Sequence, residues 1–152
     1  MTDLVRSTNL IKDTLFFVKG FLESNITDPI TSTRPTADKF VLVSYPSRNT
    51  TYPLITVKQV NYSDRKLGMQ STVREVRVRV EVRVWALSPT QRDTISDEIY
   101  SDVRLGELTV STGFKDNGLH DLTLLSSVNV NEPEGKVFSN VMEYEFMYIT
   151  DS

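Results

Sequence analysis

The stretch VRVRVEVRVW, from Val76 to Trp85, decides the fold of this 152-residue chain. Valine occupies every second position from Val76 to Val84, and charged residues fill the positions between them. Successive side chains of a β-strand point to opposite faces of a sheet, so this alternation predicts a strand with one buried and one polar face. At about 3.3 Å per residue the strand is roughly 30 Å long, which implies a partner strand of similar length.

Two strands are predicted before this one. Phe40–Val43 is a short apolar run, and Pro53–Tyr62 is a longer segment with proline at its first position, where a strand tolerates it. The segment 63–72 is polar and contains Gly68, so we expect a loop of about ten residues there.

Two more strands are predicted near the end of the chain. In the last strand the apolar residues of the row all occupy even-numbered positions, whereas Glu143 and Glu145 occupy odd-numbered ones. The strand before it also has an apolar row of one parity, which predicts that the row lies on one face of the sheet. These rows are Leu122, Leu124, Val128 and Val130 in the earlier strand, and Phe138, Met142, Tyr144, Phe146 and Tyr148 in the last.

Two segments have the period of an amphipathic helix. The first runs from Leu4 to Leu22, and Phe17 and Phe21 widen its apolar stripe. The second begins at Ser88, where Ser-Pro-x-Gln is a helix-capping sequence, and Gly106 is a plausible stop. The predicted order is α-β-β-β-α-β-β, and the length is that of one α+β domain spanning 1–152. The stripes are Leu4, Ile11, Leu15, Val18 and Leu22 in the first helix, and Ile95, Ile99 and Val103 in the second.

Composition excludes several classes of function. The net charge is −3 and the pI is about 5.2, which argues against a free-standing nucleic-acid binder. The chain has no cysteine and one histidine, His120, so Cys-based zinc sites, thiol nucleophiles and multi-histidine metal centres within one chain are excluded. Phosphate-binding loops, dinucleotide fingerprints and EF-hand loops are also missing from the sequence, and no cofactor is expected.

Two groups of residues invite a catalytic or metal interpretation. His120 and Asp121 resemble half of a catalytic triad, but a nucleophile elbow is missing and a turn or surface role is the simpler explanation. Four carboxylates on the second helix invite a Mg²⁺ interpretation, but a solvated helix face, whose negative charge suits the helix dipole, is the normal outcome and the one we favour. They are Asp93, Asp97, Glu98 and Asp102.

The charged row of the valine-rich strand is the main candidate site. Three interpretations are open: a subunit interface, a solvated outer face, or a grip on single-stranded nucleic acid assisted by Trp85 and Tyr62. Because the row contains both acidic and basic residues, it does not produce the uniform positive field that would attract a phosphate backbone. Charges of both signs suit contact with another protein, so we favour a subunit interface. The row comprises Glu75, Arg77, Arg79, Glu81 and Arg83.

The predicted loop 63–72 is a second candidate. It lacks a periodic apolar face, so little burial opposes its conformational entropy, and we expect it to be mobile in the free subunit and ordered on assembly. Its charged and apolar side chains would contact a partner; they are Arg65, Lys66, Leu67 and Met69.

The order of the predicted elements and several local sequence features resemble those of the tail terminator and tail-to-head joining proteins of long-tailed phages. The features are the N-terminal amphipathic helix, the strand opened by Tyr52-Pro53-Leu54-Ile55-Thr56-Val57, the polar loop, the valine-rich strand, the helix opened by Ser88-Pro89, and two closing strands. The resemblance covers about Leu4 to Ile149. It implies an antiparallel or mixed sheet of about five strands with two helices packed on one face.

The same resemblance implies a non-enzymatic function. In such families a ring, usually of six subunits, caps the finished tail tube and offers a docking surface to the head connector. The implied partners are further copies of the chain, the tail tube protein and the head completion or connector protein, with DNA passing through the lumen without specific binding. The implied location is the virion tail or neck, after synthesis in the host cytoplasm, with no membrane partner. Another phage neck protein, such as a head-completion or stopper protein, a monomeric protein-binding module and a small enzyme are the alternatives.

Overall fold

A computed structural model describes residues 9–36, 38–44, 51–70, 72–110, 112–131 and 136–151. These residues build one five-stranded mixed sheet in the order β1-β2-β3-β5-β4, with two helices on one of its faces. The α+β architecture and the predicted element order are confirmed. The strands are β1 Val41–Leu42, β2 Leu54–Lys66, β3 Val73–Ala86, β4 His120–Asn131 and β5 Phe138–Asp151; the helices are α1 Leu10–Asn25 and α2 Pro89–Gly106.

The valine-rich strand β3 is the centre of the sheet. It pairs antiparallel with β2 and with β5 along nearly its whole length, so the partner of similar length exists on both sides. Its five alternate valines are at most 5% exposed, which confirms the predicted register. Burial of each such side chain contributes roughly 1.5–3 kcal/mol of transfer free energy. The five are Val76, Val78, Val80, Val82 and Val84.

Helix α1 covers the sheet with its aromatic stripe. Phe17, Phe21 and Leu22 are buried, whereas Ile11, which the sequence placed in the stripe, is 36% exposed. The buried face is therefore centred on the phenylalanines rather than on a line through Ile11. Leu4 and the predicted start of this helix lie outside the described residues.

Helix α2 begins and ends as its sequence predicts. The Ser88 hydroxyl accepts a hydrogen bond from the Gln91 amide at 3.2 Å, and Pro89 occupies the first turn. Gly106 is the last helical residue, and a Cβ there would lie 2.3 Å from the Phe21 ring. Glycine at this position thus allows α2 to approach α1 as well as ending the helix.

Phe114 joins the two helices to the sheet. It lies in the connection between α2 and β4 and is fully buried. Its ring centroid is 5.3 Å from that of Phe17, 4.6 Å from that of Phe21 and 5.2 Å from that of Phe146 on β5. Aromatic rings at these separations attract each other, so Phe114 packs the helix layer against the sheet.

The predicted loop 63–72 is shorter than expected. Residues 63–66 belong to β2, because Asp64 pairs with Val76 and Lys66 with Arg74 in the antiparallel ladder. Side chains of this part of β2 are exposed on both faces, so no hydrophobic alternation marks it as a strand. Backbone pairing with β3 therefore continues the strand β2 beyond the part whose side chains are buried.

The single-face prediction for β4 is wrong. Leu122 and Leu124 pack against the core, but Val128 pairs with Val141 on the opposite, helix-free face and is 53% exposed. A register shift between Leu124 and Ser126 reverses the parity of the strand. An extra residue in one strand does this because side chains alternate strictly with position.

Candidate subunit interface

The charged row of β3 lies on the face of the sheet that the helices leave open. The alternation with the buried valines places all five charged side chains there. Glu75 is 7% exposed overall, whereas the Arg77 and Arg79 side chains are 36% and 42% exposed. The sequence therefore predicted both the membership of this row and its orientation. We call the helix-free side of the sheet the outer face.

Ion pairs within the chain connect three strands across the outer face. Glu75 accepts from Arg65 on β2 at 3.0 Å and from Arg77 at 2.7 Å. Arg77 also reaches Glu145 on β5 at 3.0 Å, and Glu145 accepts from Arg79 at 3.0 Å. The presence of both acidic and basic residues in the row is thus explained by ion pairs between neighbouring strands of one subunit, before any contact with another subunit is considered.

Arg77 is the centre of this network. Beyond Glu75 and Glu145, its guanidinium donates to Asp121 at the start of β4, at 3.3 Å. The hydrogen bond to Glu145, followed by that to Glu75, raises the pKa of Arg77. The guanidinium therefore holds charges of β3, β4 and β5 together on one surface.

The pKa of the Glu75 carboxyl is lowered. The largest cause is the hydrogen bond from Arg65; desolvation opposes it, and Arg77 adds to the lowering. Glu75 is covered by these arginine side chains rather than by the apolar core. Its ionised form is stabilised, as expected for a carboxylate that accepts from two guanidinium groups.

A cation–aromatic stack forms the other end of the row. The Arg83 guanidinium lies 4.0 Å from the Trp85 ring centroid and donates to the Ser139 hydroxyl at 3.1 Å. The Trp85 indole donates to Thr56 on β2 at 3.0 Å. Because both groups are engaged within the subunit, Trp85 is not presented as a free stacking platform for a nucleotide base.

The structure separates the predicted partner loop into two parts. Arg65 belongs to the ion-pair network, and Lys66 is paired in β2 next to Arg74. Leu67 and Met69 lie in the turn between β2 and β3 and are 48% and 98% exposed. Two apolar side chains at the tip of a hairpin fit a contact with a partner protein.

Sequence reasoning missed the acidic partners of the row. The sequence places Glu145 among the polar residues of the last strand, but its two arginine partners on β3 follow only from the β3–β5 register. The triad interpretation joins Asp121 to His120, whereas in the structure its carboxylate accepts a hydrogen bond from Arg77. The sequence does contain one indication of these partners. Glu143 and Glu145 alternate with the apolar residues of the last strand, and a row of basic side chains on a central strand favours acidic side chains on the neighbouring strands.

Two of the α2 carboxylates that invited a metal interpretation accept hydrogen bonds within the chain. Asp93 accepts from Arg92 at 2.9 Å, and Glu98 accepts from the Thr27 amide at 3.0 Å. Among the described residues, no group of three or more His, Cys, Asp or Glu side chains is arranged to hold a metal ion. In the described ranges, neither helix is long and apolar enough to cross a membrane.

Comparison with protein families shows the class of protein to which this fold belongs. The family model described as tail completion protein gp17 matches residues 34–149, well over half of the chain. The chain belongs to this phage tail completion family and is a structural component of the virion tail. The match includes β1 to β4, α2 and all but the last two residues of β5. A search of curated proteins found no significant match.

Proposed function

We propose that this protein is a tail terminator. It would form a ring of six subunits, the usual number in the family it resembles, that caps the tail tube and joins it to the head connector. The family match over residues 34–149 carries this proposal. The structure supports it with an open, charge-paired sheet face and exposed strand edges, surfaces that identical subunits use to associate. Its partners would be further copies of itself, the tail tube protein and the head connector, with DNA passing through the lumen.

The charged row remains a candidate contact with a neighbouring subunit in this proposal. Because Arg77 and Arg79 are already paired within the chain, a neighbour would meet a surface with most charges satisfied. Complementary charges of this kind determine register and orientation more than affinity. The hairpin tip with Leu67 and Met69 would contact the tail tube or the head connector.

The mass of the purified protein in solution tests the ring. We expect a species of about 104 kDa, six times the 17.3 kDa of one chain, and annular particles in electron micrographs. A phage with a clean deletion of the gene should produce heads and tails that fail to join, with tails of abnormal length. A strictly monomeric protein together with normal infectious particles from the deletion would contradict the proposal.

A further inference from the structure

Strand β4 forms an unprotected edge of the sheet. Among the described residues it pairs with β5 alone, and residues 126–131 follow a regular ladder opposite 138–143. The ten residues from Leu122 to Asn131 contain no charged residue, proline or glycine. Soluble proteins ordinarily protect long edge strands with such residues, because free backbone groups there can pair with another chain. Two register shifts protect only the first half of β4.

A second edge lies on the opposite side of the sheet. The short strand β1 pairs with β2 at Ile55 and Thr56 only. In the described part of the chain, the rest of β2 pairs with β3 alone, so its other side is free from about Val57 to Lys66. Val60 and Tyr62 in this part are 41% and 54% exposed.

The two edges are complementary in direction. β2, β3, β5 and β4 are successively antiparallel, so β4 runs opposite to β2. A second copy placed beside the first in the same orientation would therefore present its β2 antiparallel to β4. The regular part of β4, residues 126–131, is level with β1 and the first residues of β2 in the sheet, so the second copy would be shifted along the strand direction to place its free part of β2 beside it.

We propose that β4 of one subunit pairs antiparallel with the free part of β2 in a second copy of this chain. The contact is heterologous, so each copy offers one edge of each kind, and repetition closes a ring when the rotation between copies allows it. The inference rests on the proposed ring and names the surface that joins its neighbours. A β4–β4 contact would be two-fold instead and would stop at a dimer.

The absence of cysteine from the sequence makes the test direct. Ser126 on β4 and Lys58, Asn61 and Ser63 on β2 all occupy outer-face positions. We would combine Ser126→Cys with a cysteine at each β2 position in turn, oxidise the assembled full-length protein, and separate it on non-reducing gels. At least one double variant should give a covalent ladder up to the ring, and every single variant should remain uncrosslinked.

A charge on the edge provides an independent test. Val128→Lys should raise the protein concentration needed for ring formation at least about tenfold, because lysine on an edge strand opposes pairing. The melting temperature of the dissociated subunit, measured in dilute solution, should stay unchanged, since Val128 is 53% exposed. Ser24→Lys, at an exposed position on α1, is the matched control and should leave assembly unchanged.

The outcomes separate this inference from the proposed function. Rings that form normally with Val128→Lys, or that give no cross-link in any double variant, overturn the edge pairing and leave the ring intact. Covalent dimers from Ser126→Cys alone would show the two-fold contact instead and also overturn it. A wild-type protein that forms no ring would overturn both proposals.

Discussion

The consecutive residues Val80 and Glu81 show how sharply the two faces of β3 differ. Val80 is fully buried against Tyr144, whereas the Glu81 side chain is 21% exposed on the outer face, 3.9 Å from Lys58. Val80→Asp would place a carboxylate in the apolar core, where an unpaired charge is very unfavourable. We expect little soluble folded protein from it.

Glu81→Gln is the matched control for that substitution. Changes at such surface positions usually alter stability by no more than about 0.5 kcal/mol, so its melting temperature should be close to that of the wild type. The comparison requires only thermal unfolding of the two purified variants. Equal melting temperatures for Val80→Asp and Glu81→Gln would contradict the register of β3.

Single residues also show which parts of the fold the sequence can predict. The alternate valines of β3 and the Ser88-Pro89 start of α2 carry local signals, and the structure confirms both. The position of Val128 could not be predicted, because one extra residue near Leu125 reverses the parity and leaves no mark in the pattern. The partners of Arg77 depend on strand register, which joins residues far apart in the chain.

At the scale of elements, the Glu75 network stabilises the contact between β2 and β3 in a pH-dependent way. The folded pKa of Glu75 is lowered, so its stabilising contribution is fully present above the unfolded value of about 4.3 and is lost as the pH falls through the folded value. Between about pH 5 and pH 3, the wild type should therefore lose stability relative to Glu75→Gln. Unfolding free energies measured across this range check the expectation.

Arg65 allows a second check of the same network. Arg65→Gln removes the largest cause of the lowered pKa, so the stability contribution of Glu75 should be lost at a higher pH than in the wild type. Parallel pH profiles for the wild type and Glu75→Gln would show that this carboxylate does not contribute. The sequence alone assigned Arg65 to a loop, because exposed strand residues carry no periodic apolar signal.

At the scale of the whole molecule, the hairpin tip between β2 and β3 should respond to assembly. Gly68, Met69 and Gln70 are exposed and lie beyond the last paired residues of the two strands. Their amides should exchange rapidly in the isolated subunit and more slowly in assembled tails, as measured by hydrogen exchange. Amides in the centre of β3 serve as the internal reference. Strong protection of the tip in the isolated subunit would contradict its role as a partner contact.

The balanced outer face has a further consequence for anything that moves past it. Its described strand side chains include five bases and five acids: Lys58, Arg65, Arg77, Arg79 and Arg83 against Glu75, Glu81, Asp121, Glu143 and Glu145. At distances beyond the screening length of about 8 Å, alternating charges of equal number largely cancel. A polyanion near such a surface would therefore experience little net attraction or repulsion.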